Sequence, residues 1–263
     1  MTCEAMVGQP YTARTLGQRE QGIMIFDQQE FDIRCEWGEH GVAVLAPISD
    51  VVIIIDVLRF STSVEVAVTQ GAMVFPYRWR DDTALAYAVS VGAILADPGR
   101  HPSRYSLSPA SLTAIPRGTR LVLPSPNGST LTLAAKPTPV LAGCLRNAGA
   151  VAAVARQYGH KIAVIPAGER WKDDGRLRPA CEDLIGAGAI ISHLTGRRSP
   201  EALVALAAFR AVESELDTAL RQCSSGKELL EWGLATDVLL AAQLNVSGCA
   251  PLLVNDAYRQ AEV

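Results

Sequence analysis

The stretch VVIIIDVLRFSTS, residues 51–63, decides the fold. Its unbroken run of β-branched residues reads as a strand buried on both faces, the kind that sits inside a parallel sheet. An acid, an arginine and three hydroxyls (Asp56, Arg59, Ser61, Thr62, Ser63) then follow within eight residues. Thr62 with Glu65 three positions later matches a capping box, Val64, Ala67 and Val68 share one helical face, and Gly71 stands where a helix C-cap is expected. The segment therefore predicts strand, polar turn, helix.

The same grammar repeats outward. Strands are expected near residues 32–36, 72–77, 120–123, 140–143 and 161–165, with a late one at 251–254. Asn147 and Gly159 bracket a second helix. Pro179 suits a first helical position, with Glu182 and Asp183 in the first turn of an Ile-rich body, and Ser199-Pro200 opens another helix. Residues 199–244 read as mainly helical, with Ser225 and Glu228 forming a second capping box. The expected fold is α/β: a mainly parallel or mixed sheet with helices on both faces, three layers in all, and a helical C-terminal third. Residues 1–24 lack apolar periodicity and read as a tail or arm, leaving 25–263 as a single unit, with a division into two lobes near 98–116 as the alternative.

Composition narrows the function classes. With 49% hydrophobic and 19% charged residues the chain can bury a sizeable core. A net charge of −3 without any Lys/Arg-rich run offers no footprint for nucleic acid or an anionic membrane surface. No apolar run is long enough to span a bilayer, and the opening residues do not form a signal peptide, so a cytoplasmic location is expected. Six scattered cysteines without a C-x-x-C pair predict reduced thiols, and the sequons at Asn127 and Asn245 are idle without secretion.

Polar clusters collect just beyond four expected strand ends: Asp56 to Ser63, Ser125 to Ser129, Arg146-Asn147, and Gly168 to Trp171. In an open α/β sheet such ends converge on the ligand crevice, beside helix N-termini that favour anions. Arg59, Arg146 and Arg170 can present planar donor forks to phosphate, sulfonate or carboxylate, while Gly128 admits close backbone approach and Ser129 adds a hydroxyl. Asp56, Glu169, Glu182 and Asp183 supply the hard oxygens that Mg²⁺ prefers when shared with a substrate phosphate. Phosphoryl chemistry on a small, multiply anionic molecule fits these residues best. Each residue also has a bland reading, as a turn cap, a tight turn or a helix-dipole acid. What those readings explain poorly is the convergence of Asp56, Arg59, Asn127, Arg146 and Glu169.

Rival mechanisms fail on spacing. Leu58, two residues after Asp56, is not the acid that a haloacid-dehalogenase-type phosphatase needs, and Ala150 stands where a Cys144-x5-Arg cradle requires arginine. Gly226-Lys227 is followed by Glu228, not Ser or Thr, and Gly186-Ala-Gly188 lacks a third glycine. The four histidines show no metal-ligand spacing.

The segments Asp56-Val-Leu-Arg59-Phe-Ser-Thr62, Pro126-Asn127-Gly128-Ser129, Leu145-Arg146-Asn147-Ala148, Pro166-Ala-Gly168-Glu169-Arg170 and Cys181-Glu182-Asp183-Leu-Ile-Gly186-Ala-Gly188 together resemble the 2-phosphosulfolactate phosphatase family, Mg²⁺-dependent enzymes. One departure stands out: where that family usually has Gly-Asn-Ser-Pro, this chain has Ser106-Leu107-Ser108-Pro109. The resemblance implies an Mg²⁺-dependent phosphatase for a small phosphorylated acid, with 2-phosphosulfolactate the leading candidate. Asp56, Arg59 and Glu169 are the expected catalytic residues. Ser61, Thr62, Asn127, Gly128, Ser129, Arg146, Asn147 and Arg170 are expected to bind substrate, and Asp56, Glu182 and Asp183 to hold the metal. Water is the default nucleophile, with a phosphoryl-aspartate on Asp56 kept open. The alternatives are a non-catalytic binder of a phosphorylated metabolite and a phosphatase for another phospho-hydroxy acid. A homo-oligomer is compatible with the sequence.

Overall fold

The computed structural model describes residues 25–79, 81–97 and 105–262. The tail expected over 1–24, and part of the proposed lobe boundary at 98–116, lie outside these residues. Eleven strands and ten α-helices occur among the described residues. In chain order they are β1 (Ile33–Cys35), α1 (Gly38–Leu45), β2 (Val51–Ile55), α2 (Phe60–Thr69), β3 (Met73–Tyr77), α3 (Asp82–Ser90), β4 (Ile94–Leu95), β5 (Arg120–Pro124), α4 (Gly128–Ala134), β6 (Val140–Gly143), α5 (Ala148–Tyr158), β7 (Ile162–Pro166), β8 (Glu169–Arg170), β9 (Leu177–Arg178), α6 (Cys181–Ser192), α7 (Pro200–Val212), α8 (Leu216–Gln222), α9 (Ser224–Glu231), α10 (Ala235–Ala241), β10 (Pro251–Val254) and β11 (Ala257–Gln260).

Nine strands form one mixed sheet in the order β1-β7-β2-β6-β10-β11-β3-β5-β4. It holds two parallel blocks, β1-β7-β2-β6 and β3-β5-β4. The β10–β11 hairpin joins them, antiparallel to β6 on one side and to β3 on the other. All five residues of β2 are buried, as its unbroken apolar run requires; burying each such side chain contributes about 1.5–3 kcal/mol.

Alternation along β2 sorts the layers. Ile53 and Ile55 pack with Leu141, Val164 and the apolar faces of α5, α6 and α7. Val52 and Ile54 face the other way, onto α1, α2 and α4. Val74, Leu121 and Leu123 from the second parallel block join that same core, so the twisted sheet closes around α2 and α4 and brings the ends of β2 and β5 together. The three-layer α/β/α expectation is met, and α7 to α10 form the helical C-terminal third. Among the described residues no helix is long and apolar enough to cross a membrane.

Both expected capping boxes are corrected. Arg59, not Thr62, occupies the N-cap of α2. Thr62 lies inside the first turn, donating its hydroxyl back to the Val57 carbonyl (2.7 Å), and Glu65 pairs with Arg146. At α9 the Cys223 thiol, not Ser225, accepts the Gly226 N–H (3.4 Å), and Glu228 pairs with Lys172. Short apolar periodicity identifies helices well, but the first residue of a helix depends on which side chain the surrounding turn leaves available. Strands β4, β8, β9 and β11 were not expected: the first three have two residues each, and β11 alternates too little to stand out.

Candidate active site

The polar cluster after β2 builds a turn around one carboxylate. Asp56 is buried; its Oδ1 accepts the Phe60 N–H (3.0 Å) and its Oδ2 accepts the Gly128 N–H (2.9 Å), which belongs to the first residue of α4. The Asp56 N–H donates to Ser61 Oγ, and that hydroxyl donates onward to the Ile54 carbonyl. Ser63 and Ser129 likewise donate to the carbonyls of Leu107 and Leu123. The hydroxyls of Ser61, Thr62 and Ser129 thus fasten strand ends to helix starts, and what these segments turn toward Asp56 is backbone N–H. Gly128 is required by close packing: a Cβ there would lie 2.2 Å from the Phe60 ring and 2.8 Å from Asp56 Oδ2.

Three more carboxylates gather around this turn. Asp183, buried in the first turn of α6, accepts the N–H of Val57 (2.7 Å) and of Gly168 (2.8 Å). Gly168 has φ +68°, a left-handed conformation that favours glycine. Glu169 follows directly, half-buried on β8, and its Oε2 accepts the Asn127 side-chain amide at 3.0 Å. Glu182 is buried beside Asp183 and near Cys223.

Burial and mutual repulsion push three of these acids, Asp56, Asp183 and Glu169, toward their neutral forms. Desolvation raises Asp56, opposed by its two backbone hydrogen bonds and by Arg59 and reinforced by Glu182. Desolvation, then Glu182 and Asp56, raise Asp183 well above the carboxylate range. Glu169 is raised to about 7, first by desolvation and then by Asp56. Four carboxylates in one electrostatic neighbourhood call for a cation or protons.

The arginines part company. Arg59 stays beside Asp56 and pairs with Asp237 at 3.1 Å. Arg146 is drawn to Glu65, which is fully buried on α2, at 2.5 Å, and also reaches the Leu240 carbonyl and Gln243. Asn147, buried, closes its own turn by accepting the Cys144 N–H and donating to the Ala142 carbonyl. No hydrogen bond among the described residues links Arg146 or Asn147 to the carboxylate cluster. Arg170 extends from β8 to pair with Glu39 on α1.

Beside the cluster opens a cleft of about 830 Å³, lined by Asn127, Glu169 and Arg170 together with Trp37, His40 and Leu177. Sequence reasoning passed over Trp37 and His40. The rule that flagged the other strand ends applies here too, since Trp37 stands one residue beyond Glu36 after β1 and is the N-cap of α1. Asp237 carried no comparable signal, lying within the helical C-terminal third.

The whole stretch from the Asp56 turn to Asp237 falls within one match, to a model of the 2-phosphosulpholactate phosphatase family, over residues 43–256. The chain belongs to this family. A "2-phosphosulfolactate phosphatase" of Methanothermobacter thermautotrophicus is 29% identical over 206 residues, covering 78% of this chain and 87% of that protein. A "Probable 2-phosphosulfolactate phosphatase" of Thermus thermophilus is 32% identical over 215 residues (78% and 88%). A protein of the same printed name from Deinococcus radiodurans is 31% identical over 224 residues (78% and 88%). Family membership spans the carboxylate cluster and the Arg59–Asp237 pair, while Trp37 and His40 of the cleft wall precede the matched residues.

Proposed function

We propose that this chain, a phosphoric monoester hydrolase of the 2-phosphosulfolactate phosphatase family, is an Mg²⁺-dependent enzyme that converts 2-phosphosulfolactate to sulfolactate and phosphate. The observation that carries the reading is the Asp56–Glu169–Glu182–Asp183 cluster, of which Glu169 lines the cleft, is raised to about 7 and contacts Asn127. The names of the relatives supply the substrate candidate.

The donor set suits Mg²⁺ of a particular kind. Among the described residues no three His, Cys, Asp or Glu side chains are grouped to ligate one ion directly. Asp56 and Asp183 each already accept two backbone N–H groups, but a carboxylate has further lone pairs. Mg²⁺ that keeps several waters and takes one or two carboxylates fits this arrangement, and its charge would relieve the repulsion that raises the acids. One or two of Asp56, Glu182 and Asp183 would hold it directly and the rest through its waters, and it would supply charge neutralisation on the phosphoryl group.

The chain's own groups do the rest. The Arg59 guanidinium favours an anion beside Asp56, whose own carboxylate takes the Phe60 and Gly128 N–H groups that open α2 and α4. Asn127 orients Glu169. With its pKa near neutrality, Glu169 can take a proton from an attacking water or return one to the leaving alkoxide. Arg170, at the outer end of the cleft, can exchange Glu39 for the second anion of the substrate. The Ser106-Leu107-Ser108-Pro109 segment favours one variant of this reading, a neighbouring phospho-hydroxy acid as substrate, because an amide donor is missing there.

Phosphate release from 2-phosphosulfolactate and a panel of other phospho-hydroxy acids, with Mg²⁺ and with a chelator, tests the proposal. Mg²⁺-dependent release with 2-phosphosulfolactate preferred supports it. Release that survives chelation rejects the metal, and silence toward every ester rejects the activity.

A further inference from the structure

Arg59 follows the Asp56 turn directly and lies within electrostatic reach of the Asp56 carboxylate. An untethered guanidinium in that position would collapse onto the neighbouring acids, where Coulomb attraction in a poorly solvated site is strong. It is tethered instead. Nη1 donates to Asp237 Oδ2 at 3.1 Å, the one hydrogen bond of this guanidinium among the described residues. Asp237, on α10, is 1% exposed, and its other oxygen accepts the Ser108 hydroxyl at 2.5 Å and the Ala110 N–H at 3.3 Å. Two donors from the 108–110 segment thus fix the carboxylate that fixes the arginine.

We infer that Asp237 is a positioning residue: it holds the Arg59 guanidinium off the carboxylate cluster and leaves its remaining N–H edge turned to the phosphoryl oxygens of the substrate. The inference rests on the phosphatase reading of the site. It gives the helical C-terminal region a part in the chemistry, through an acid that touches neither substrate nor metal. A buried carboxylate with three donors also helps to hold the fold, and its effect on Arg59 is separable from that by its dependence on Arg59 itself.

A double-mutant cycle separates the two. Measured as phosphate release from 2-phosphosulfolactate with Mg²⁺, Arg59→Ala is expected to lower kcat/KM by about 100-fold and Asp237→Asn by about tenfold or more. The double variant should be no worse than Arg59→Ala alone, because Asp237 then has nothing to position. Ser108→Ala loosens Asp237 but leaves the ion pair, so its loss should be smaller than that of Asp237→Asn and should vanish in the Arg59→Ala background. Millimolar guanidinium chloride should rescue Arg59→Ala and fail to rescue the double variant. Losses that multiply in the double variant, equal rescue of both, or a Ser108→Ala defect as large as that of Asp237→Asn would each overturn the assignment. Phosphate release from no ester at all would remove the phosphatase reading instead. The same cycle, read as orthophosphate affinity by calorimetry, then decides separately: weakening by Asp237→Asn that vanishes in the Arg59→Ala background upholds the tether, and weakening that persists there overturns it.

Discussion

Asp183 Oδ1 accepts the backbone N–H of Val57, 126 residues earlier in the chain, at 2.7 Å. Its second oxygen accepts Gly168 N–H at 2.8 Å, so one side chain fastens the turn bearing Asp56 to the turn bearing Glu169. An amide cannot do this, because its nitrogen would meet one of the two N–H donors. Asp183→Asn should therefore cost about 1–3 kcal/mol, more than the 0.3–1 kcal/mol expected of an acid that serves only the helix dipole. Urea unfolding without metal checks this, and a smaller loss would return Asp183 to the dipole role.

Glu182 behaves oppositely. Its charge adds to the burial that raises Asp183. Glu182→Gln should leave metal-free stability unchanged or increased, as repulsion is relieved, while the Mg²⁺ concentration for half-activity rises about tenfold or more. Titration of Mg²⁺ against turnover reads the shift, and an unmoved midpoint would take Glu182 out of the metal site.

Gly128→Ala places a methyl group 2.2 Å from the Phe60 ring. Relief requires moving the start of α4, and with it the N–H that Asp56 accepts. Overpacking of this kind costs about 1–3 kcal/mol, and turnover should fall further than stability suggests. A variant with native melting temperature and native kcat would show that the α4 start can shift harmlessly.

The raised acids set a pH dependence. Glu169, near 7 in the folded state, is protonated there while the unfolded chain is already ionised. Its contribution to stability is therefore complete below the ordinary carboxylate range and is lost as pH rises through about 7, and Asp56 and Asp183 act in the same sense. Melting temperature measured with a chelator should decline between about pH 4.5 and 7, and Glu169→Gln should flatten that decline. Added Mg²⁺ should restore stability most at the alkaline end.

Arg146→Ala tests a division of labour among the arginines. Its partner Glu65 is fully buried, so removing the guanidinium strands a charge at a cost of about 3–5 kcal/mol. KM should change little in whatever protein folds, and Glu65→Gln in the same chain should recover part of the loss. A raised KM with native stability would place Arg146 on the substrate after all.

The readable part of this molecule was the part written in local periodicity. The apolar run at β2, the small-residue helices α5 and α6 and the Ser199-Pro200 helix start follow from nearest neighbours in the chain. The convergence of Asp56, Asn127 and Glu169 was legible because strand ends in an α/β sheet share one rim, and Asp183 was legible as an acid in the first turn of α6. The allocation of partners was not legible. Arg59 and Arg146 occupy equivalent places after their strands, yet Asp237 and Glu65 draw them to different surroundings. That choice depends on which buried acid lies within reach across 178 residues in one case and 81 in the other. Serine and threonine at 61, 62 and 129 looked like ligand groups because nothing local reveals that three carbonyls await them.

The β10–β11 hairpin has a bearing on how the molecule is made. Residues 251–260 occupy the middle of the nine-stranded sheet, although every other strand of that sheet precedes them in the chain. Until they are synthesised, β6 and β3 each present an unpaired edge of the sort that recruits foreign strands. A nascent chain halted after α10 would thus carry two half-sheets and nothing to join them. A ribosome-tethered series of increasing length should gain protease resistance abruptly once this hairpin clears the exit tunnel, rather than in steps as each strand-helix unit appears.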